Sequence, residues 1–391
     1  GETRTVVGVE MVFQMAPHTE APAEMLIYLP QFRALAAAED LTHTMHNLYT
    51  LRGAQVRDAN QWWKTINEAI ERFGSRTDVV FAQHHWPKWG TGNIIPYMEK
   101  QRDLFKYIHD QSLRLINQGY TPIEIAEMIE LPGTIAHEWY NRGYYGSLNH
   151  NAKAIYQRYL GWYDSNPANL HPLPPVEAGK RYVAFMGGAE EVVAKAKAAY
   201  DSGEYRWVAE VLKHVVFADP DNKAAKDLQA DAFEQLGYQT ENPTWRNEYL
   251  MGAHELRNGP PKITTSAVSA DTVNAMSNDM LLDYIGLKLN GPKAADTKSS
   301  INMKFVGGDN GNYAVQLENG VLVYTANKQI DGADVTVTWP KAALVGIVFG
   351  ATSVKEQVES GHVKVEGDRT KLETLFTLLD DFNPLFPIVT P

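Results

Sequence analysis

Residues 18–30 read H-T-E-A-P-A-E-M-L-I-Y-L-P, and residues 38–57 read A-E-D-L-T-H-T-M-H-N-L-Y-T-L-R-G-A-Q-V-R. Carboxylates, imidazoles and two arginines are packed here onto short loops between apolar segments. Two more histidines follow in Gln83-His84-His85-Trp86. Glu20, Glu39 and His84 each come after a segment that reads as strand or buried core, the position from which a rigid scaffold presents ligands on loops.

Working outward, T-V-V-G-V-E-M-V-F-Q-M-A (5–16) reads as one strand stopped by Pro17, and M-L-I-Y-L (25–29) as a second stopped by Pro30. Residues 32–38 read as a helix or turn. W-W-K-T-I-N-E-A-I-E-R-F (62–73) is an amphipathic helix closed by Gly74, and D-V-V-F-A (78–82) is a buried strand. Strand, loop, helix, strand is an α/β pattern, in which a site sits at strand ends.

From Tyr97 to about Trp162 the chain reads as mostly helical, with breaks at 119–122, 131–133 and 143–146. Thr121-Pro122-Ile123-Glu124 has the residues of a helix start. The proline-rich stretch 166–175 reads as a connection into a second domain. Helices over 190–200, 205–218, 223–236 and 244–256, broken at Gly203, at Asp219-Pro220-Asp221, and at Gly237 with Pro243, resemble tetratricopeptide hairpins, whose period is ~34 residues. Asn258-Gly259-Pro260-Pro261 is a second linker. Past it come short alternating strands at 301–305, 313–317, 321–325 and 334–339, with Asn319-Gly320 as a hairpin turn, and helices at 340–349 and 370–382. The expected division is 1–162, 163–260 and 261–391, the last an α+β domain.

A chain of 391 residues exceeds what one core organises, which fits two or three domains. With 44% hydrophobic and 21% charged residues it can bury a sizeable core, yet no apolar run approaches the ~20 residues of a membrane span. A net charge of -11 without a basic stripe argues against a nucleic-acid partner. Cysteine is absent, so any metal must be held by His, Asp and Glu. The opening Gly-Glu-Thr-Arg-Thr-Val-Val has no leader pattern, and the expectation is that a targeting segment was removed or the natural amino terminus lies elsewhere.

Three candidate groups emerge from residue type. Glu20, Glu39 and His84 could supply three ligands of a hydrolytic metal site, or could be solvated loop residues; spacing alone leaves both readings standing. Asn47, Arg52 and Arg57 offer donors suited to a tetrahedral oxyanion, while Arg57 reads equally as a structural partner of Asp58 or Asp40. His43 and His46, three apart, would share one face of a helix, as a metal pair without a third ligand at matching spacing or as packing. Tyr144, Tyr145 and Tyr156 could line a pocket or belong to a core, as could Trp86 and Trp89. Tyr156 joins Asn47 and Arg52 as a candidate substrate contact.

Several long words, in one order, resemble the alkyl sulfatases of the metallo-β-lactamase superfamily: T-E-A-P-A-E-M, H-T-M-H-N-L-Y-T-L-R-G-A-Q-V-R-D, H-H-W-P-K-W-G, H-D-Q-S-L-R-L-I-N-Q-G, R-G-Y-Y-G-S-L-N-H-N, Q-R-Y-L-G-W-Y-D, R-W-V-A-E-V-L-K-H-V-V-F-A and D-A-F-E-Q-L-G-Y-Q. The likeness covers residues 5 to about 257 densely. It implies a multidomain α/β and α protein: part of a metallo-β-lactamase-like αββα sandwich, a helical dimerisation domain and an α+β sterol-carrier-like domain. It further implies two zinc ions, with Glu20, Glu39 and His84 as metal ligands and one of the carboxylates bridging. Asn47 and Arg52 match residues that hold the sulfate.

The sequence departs from that pattern in two places. The ligand motif T-H-x-H-x-D-H is missing, for none of the twelve histidines stands in an H-x-H arrangement. The expectation is a carboxy-terminal portion, inactive by itself, that is either completed by a separate amino-terminal chain or a fragment. His18 stands where a glycine is expected. The implied function is zinc-dependent hydrolysis of primary, detergent-like alkyl sulfates by a homodimer of periplasmic or secreted location. The rival is a non-catalytic scaffold that binds lipid or aliphatic chains.

Overall fold

The strand expected over 5–16 is a hairpin. In the computed structural model, Val7 and Gly8 take φ of 50° and 83° and turn the chain between Thr3–Val6 (β1) and Val9–Met15 (β2). Two successive left-handed residues make a tight turn whose twist suits paired strands. Met25–Leu29 (β3) follows, its alternation burying Leu26 and Tyr28. The stretch expected as helix or turn over 32–38 is a 3-10 turn, Pro30–Phe32, and then a strand, Ala34–Ala36 (β4). Arg33, at φ 49°, reverses the chain so that Leu29 pairs with Ala34.

Val79–Phe81 (β5) and Lys88–Trp89 (β6) complete a six-stranded sheet in the order β1-β2-β3-β4-β5-β6. All neighbours are antiparallel except β4 and β5. Since β3 opposes both β2 and β4, and β5 is parallel to β4, strands β2, β4 and β5 run the same way. Their carboxyl ends therefore share one edge, from which the loops 16–24, 37–47 and 82–87 leave.

Ala59–Phe73 (α1) buries Trp62, Ile66, Ala69 and Phe73 at helical spacing. Asp58 caps it, accepting from the Asn60 and Gln61 amides at 2.9 and 3.1 Å. The helix ends at Phe73 with Gly74 as its C-cap, as expected, and the chain passes into the 3-10 turn Gly74–Arg76. Thr91–Ile116 (α2) packs on α1, with Trp62 stacked on Phe105 at 4.6 Å. Pro122–Met128 (α3), Gly133–Ala136 (α4) and Leu148–Leu160 (α5) follow. The expected start at Thr121 has both halves of a capping box, Thr121 and Glu124 each bonding the other's backbone.

Five further helices, Pro175–Phe185 (α6), Ala189–Asp201 (α7), Tyr205–Ala218 (α8), Lys223–Gln239 (α9) and Pro243–Asn258 (α10), pack pairwise around Val208, Leu212, Val215 and Leu256. Helix α6 starts at the end of the stretch expected to be a connection, with Pro175 at its first position. Gly237 was expected to break a helix and does not. It lies inside α9, where a Cβ would stand 3.0 Å from Leu250 of α10, so it serves close helix packing.

The structure describes residues 1–262 and 270–391. Residues 1–259 with 387–391 form one compact unit and residues 260–386 another. The segments 1–162 and 163–260 thus share a unit, though each has its own hydrophobic cluster. The last five residues return to it, the Ile388 and Val389 amides donating to Glu255 Oε1 at 2.7 and 2.9 Å.

The second unit contains Ala270–Ala275 (α11), Asn278–Lys288 (α12) and Gly291–Ala294 (α13), then strands Ser299–Val306 (β7), Gly311–Glu318 (β8), Val321–Ala326 (β9) and Val335–Pro340 (β10). Lys341–Val348 (α14), Val354–Glu359 (α15), Lys364–Gly367 (β11) and Arg369–Thr377 (α16) complete it. The sheet order is β11-β10-β7-β8-β9, with only β10 and β7 parallel. Asn319 and Gly320, at φ 56° and 73°, make the expected turn between β8 and β9. Ile301, Met303, Val315, Val337 and Trp339 meet Leu281, Leu344 and Leu372 in its core. Among the described residues no helix is long and apolar enough to cross a membrane.

Replacing Thr121 by Ala removes one side of the capping box; chemical denaturation of the first unit should register a loss of about 1 kcal/mol.

Candidate metal centre

The three loops at the shared strand edge bring the acidic residues together. The loop 16–24 closes on itself, Ala16 N donating to the Glu24 carbonyl at 2.8 Å, and the His18 carbonyl accepts from the Asp58 amide at 2.8 Å. At the parallel pair, Ala37 N donates to the Phe81 carbonyl at 2.8 Å and Gln83 N to the Ala38 carbonyl at 3.0 Å. Glu39 and His84 therefore emerge side by side. Of the eight non-glycine residues with positive φ among the described residues, three flank these positions: His18 (65°), Ala38 (48°) and His84 itself (73°). Such backbone costs roughly 1–3 kcal/mol at each residue and gathers where a site dictates geometry. At His18 it also accounts physically for the expected glycine.

Glu20, Glu39 and His46 offer ligand atoms that all lie within 4.8 Å of one another. Glu39 Oε2 is 2.9 Å from His46 Nε2, and Glu39 Oε1 is 3.1 Å from His84 Nε2. The His46 hydrogen bond, with that of His84 behind it, holds the Glu39 carboxyl down at about 2 against the opposing effect of burial. Two more carboxylates sense the cluster. Burial, with the charges of Glu20 and Glu39 adding, raises the Glu24 carboxyl. Asp40 is fully buried, which pushes its carboxyl well above the usual range, and neither of its oxygens has a hydrogen-bond partner of ordinary geometry. A buried corner this rich in carboxylate oxygens and imidazole nitrogens fits a divalent cation of the nitrogen- and oxygen-liganded kind.

Sequence reasoning missed His46 as a member of this cluster, because it weighed His46 only with His43, as a pair that would share one face of a helix. No helix forms there. Met45 bridges to Gly143, and the two rings diverge. His43 stacks on Tyr97 at 4.5 Å and Trp139 at 5.6 Å, whereas His46 lies against Trp62 and Tyr145.

The segment 45–48 is fixed from behind. Gly146 N donates to the Met45 carbonyl at 2.8 Å, and Asn151 spans His46 and Leu48, donating to one carbonyl and accepting from the other amide at 2.9 Å each. Asn47 is buried; its Oδ1 accepts from Arg57 Nη1 and its Nδ2 donates to the Tyr145 carbonyl at 3.3 Å. Arg52 is exposed, its Nη1 3.4 Å from the Tyr145 hydroxyl. Arg57 pairs with neither Asp58 nor Asp40. It binds Glu20, Nη2 to Oε1 at 2.5 Å and Nε to the carbonyl at 2.6 Å.

A cavity of about 410 Å³ opens onto this cluster, lined by Thr42, Thr44, His46, His84, Tyr144 and Tyr145 among others. Tyr156 does not line it. That residue is buried beside a larger cavity of about 810 Å³, with Tyr49, Leu51, Trp162 and Trp245. Trp86 and Trp89 are exposed beside His43 rather than in a core.

Comparison with known proteins gives the following. A family model described as alkyl sulfatase dimerisation matches residues 121–259, and one described as alkyl sulfatase C-terminal matches residues 266–391. A linear primary-alkylsulfatase of Pseudomonas sp is 50% identical over 392 residues, covering 100% of this chain and 58% of that protein. A linear primary-alkylsulfatase of Pseudomonas sp. (strain ATCC 19151) is 32% identical over 388 residues, covering 96% of this chain and 72% of that protein. The solved structure of the stereoselective inverting sec-alkylsulfatase Pisa1 from Pseudomonas sp. matches with a TM-score of 0.97 and 46% identity, over 100% of this chain and 61% of its own. The chain thus spans about three fifths of the length of two of these three relatives.

Two outcomes follow from the packing. A Cβ on Gly146 would stand 2.7 Å from the His46 carbonyl and the Asn47 nitrogen, so Gly146→Ala should cost about 1–3 kcal/mol in a denaturant titration. Burial first, then His85 and Lys88, pushes the His43 imidazole down to about 4. A base depressed in the folded state contributes stability that is complete above its unfolded value of about 6.5 and is lost as pH falls towards 4. The melting temperature of His43→Phe should decline less across that window than that of the parent.

Proposed function

This chain belongs to the alkylsulfatase family, and on that premise we propose that it carries half of the metal centre of a zinc-dependent hydrolase of primary, detergent-like alkyl sulfates. The observation that carries the reading is the convergence of Glu20, Glu39 and His46, with His84 against Glu39, at the ends of three like-directed strands. In this reading the six-stranded sheet with its helices is part of a metallo-β-lactamase-like αββα sandwich spanning 1–162. The remaining ligands come from outside residues 1–391, on the same polypeptide or on a separate amino-terminal chain. The helical segment 163–260 joins two copies, and the unit that follows is sterol-carrier-like and receives the aliphatic chain. The compartment is periplasmic or secreted, where such detergents are met.

Two zinc ions, when bound, supply Lewis acidity at the sulfate and an acidified water. Glu20, Glu39 and His84 would hold them. Arg52, exposed beside Tyr145, grips sulfate oxygens with its planar fork, and Asn47 serves the same pocket from behind by fixing Tyr145. Tyr156 contacts the substrate only through the larger cavity, where it would meet the alkyl chain rather than the sulfate. Primary over secondary esters is favoured by the higher identity to the linear primary relative.

Protein purified with every polypeptide that accompanies this chain should contain zinc, hydrolyse dodecyl sulfate and lose that activity on chelation. Glu39→Gln should lower the rate at least ~100-fold, as loss of a metal-linked carboxylate does. Zinc-free protein with no such hydrolysis would instead support a scaffold that binds aliphatic chains.

A further inference from the structure

The chain leaves the first unit and returns to it on the same turn of one helix. Helix α10 ends at Asn258, where the Gly259 amide donates to the Glu255 carbonyl at 2.8 Å and the chain departs, at φ 78°, into the second unit. The side chain of that same Glu255 receives the chain when it comes back. It is only 6% exposed, and its Oε1 accepts from the Ile388 and Val389 amides at 2.7 and 2.9 Å. Amide donors to a carboxylate make strong hydrogen bonds, and a buried carboxylate is costly to leave without them.

Packing supports the same contact. Val389 lies against the apolar cluster of α6 to α10, and the bare face of Gly252 on α10 makes room for it: a Cβ there would stand 3.4 Å from Val389 Cγ1 and 3.2 Å from the Phe233 ring. A few residues earlier the chain is pinned inside the second unit. Asp380 accepts from Asn290 Nδ2 at 2.7 Å and Lys293 Nζ at 3.1 Å, and Asp381 pairs with the buried Lys288 at 3.0 Å. Only Phe382-Asn383-Pro384-Leu385-Phe386 lies between the two anchorages, and Pro384, with Pro387 after it, restricts the backbone of this spacer.

We propose that residues 387–391 are a latch on Glu255 that closes the second unit into a loop hung from the end of α10, and that its release leaves that unit on a single linker and free to tumble. The bond from Ile388 to Glu255 spans 133 residues of sequence. Closing so long a loop costs little more than closing a short one, because the entropy lost grows only with the logarithm of length. One well-buried contact therefore suffices to hold it. The latch stands apart from the metal-centre reading and needs no ion.

Because the chain has no cysteine, Lys328→Cys, exposed just after β9, would take a single dye. Fluorescence anisotropy decay, with amide exchange of α10, would be recorded on the labelled protein with its accompanying polypeptides, on a version lacking residues 387–391, and on Glu255→Gln. The shortened chain should add a faster decay from the freed second unit. Its α10 amides should exchange roughly 10–100-fold faster, as loss of a hydrogen bond to a charged group implies. Glu255→Gln, which keeps the acceptor without its charge, should shift both readings the same way by less. The synthetic peptide Phe-Pro-Ile-Val-Thr-Pro, added to the shortened chain, should restore α10 protection without slowing the dye, since it is not joined to the second unit. Anisotropy decays that match the parent in both variants overturn the latch. So does a peptide that leaves α10 unprotected, or one that slows the dye again, for the tail would then act by packing and not by tethering.

Discussion

Four acidic side chains, Glu20, Glu24, Glu39 and Asp40, meet in one corner of the first unit, and holding them together away from water is the constraint that the neighbouring structure answers. Burial first, with neighbouring carboxylate charge adding to it, raises the carboxyls of Glu24 and Asp40. Glu20 and Glu39 each have a partner, Arg57 and His46 respectively. An unpaired buried carboxylate costs several kcal/mol, so a fold that assembles this cluster must hold those partners firmly or receive a cation. The hydrogen bonds of Arg57 and His46 do the first and leave the arrangement open to the second.

That requirement reaches outward through the backbone. The Asn47 segment stays in place because Gly146 lets another loop come within contact of it and because Asn151 satisfies two of its peptide groups. Helix α5 carries Asn151, and Arg158 of the same helix pairs with the Asp58 cap of α1 at 2.7 Å. The Trp62 indole of α1 donates to the Asp40 carbonyl at 3.0 Å, beside the most deeply buried carboxylate. Core packing and site geometry are thus enforced by the same few residues.

The remaining parts of the chain have a different character. Helices α6 to α10 are built around Val, Leu and Ala with small residues at crossings, and among the described residues the grouping of metal-capable side chains lies in the sheet of the first unit. The second unit has an ordinary apolar interior under its sheet. Division of labour follows from composition: chemistry needs carboxylates and imidazoles held close, and contact surfaces need repeated apolar faces.

Much of this was legible from residue order. The helices at 62–73 and 205–218, the capping box at Thr121 and the Asn319-Gly320 turn depend on local periodicity and turn chemistry, which a linear reading captures. The choice of Glu20, Glu39 and His84 came from recognisable words; the structure gathers Glu20 and Glu39 with His46, and sets His84 against Glu39 alone. Local rules failed where the outcome was decided at a distance. Residues 32–38 became a turn and strand because β3 and β5 offered partners on both sides, and Gly237 stayed helical because α10 needed its bare surface. His46 and Arg57 came to face Glu39 and Glu20 only when separate loops met. By itself, the sequence determined which residues are capable of chemistry and where helices and turns begin. The tertiary structure alone decided which of those residues face one another, because hydrogen bonding and Coulomb interaction act over a few ångströms of space rather than along the chain.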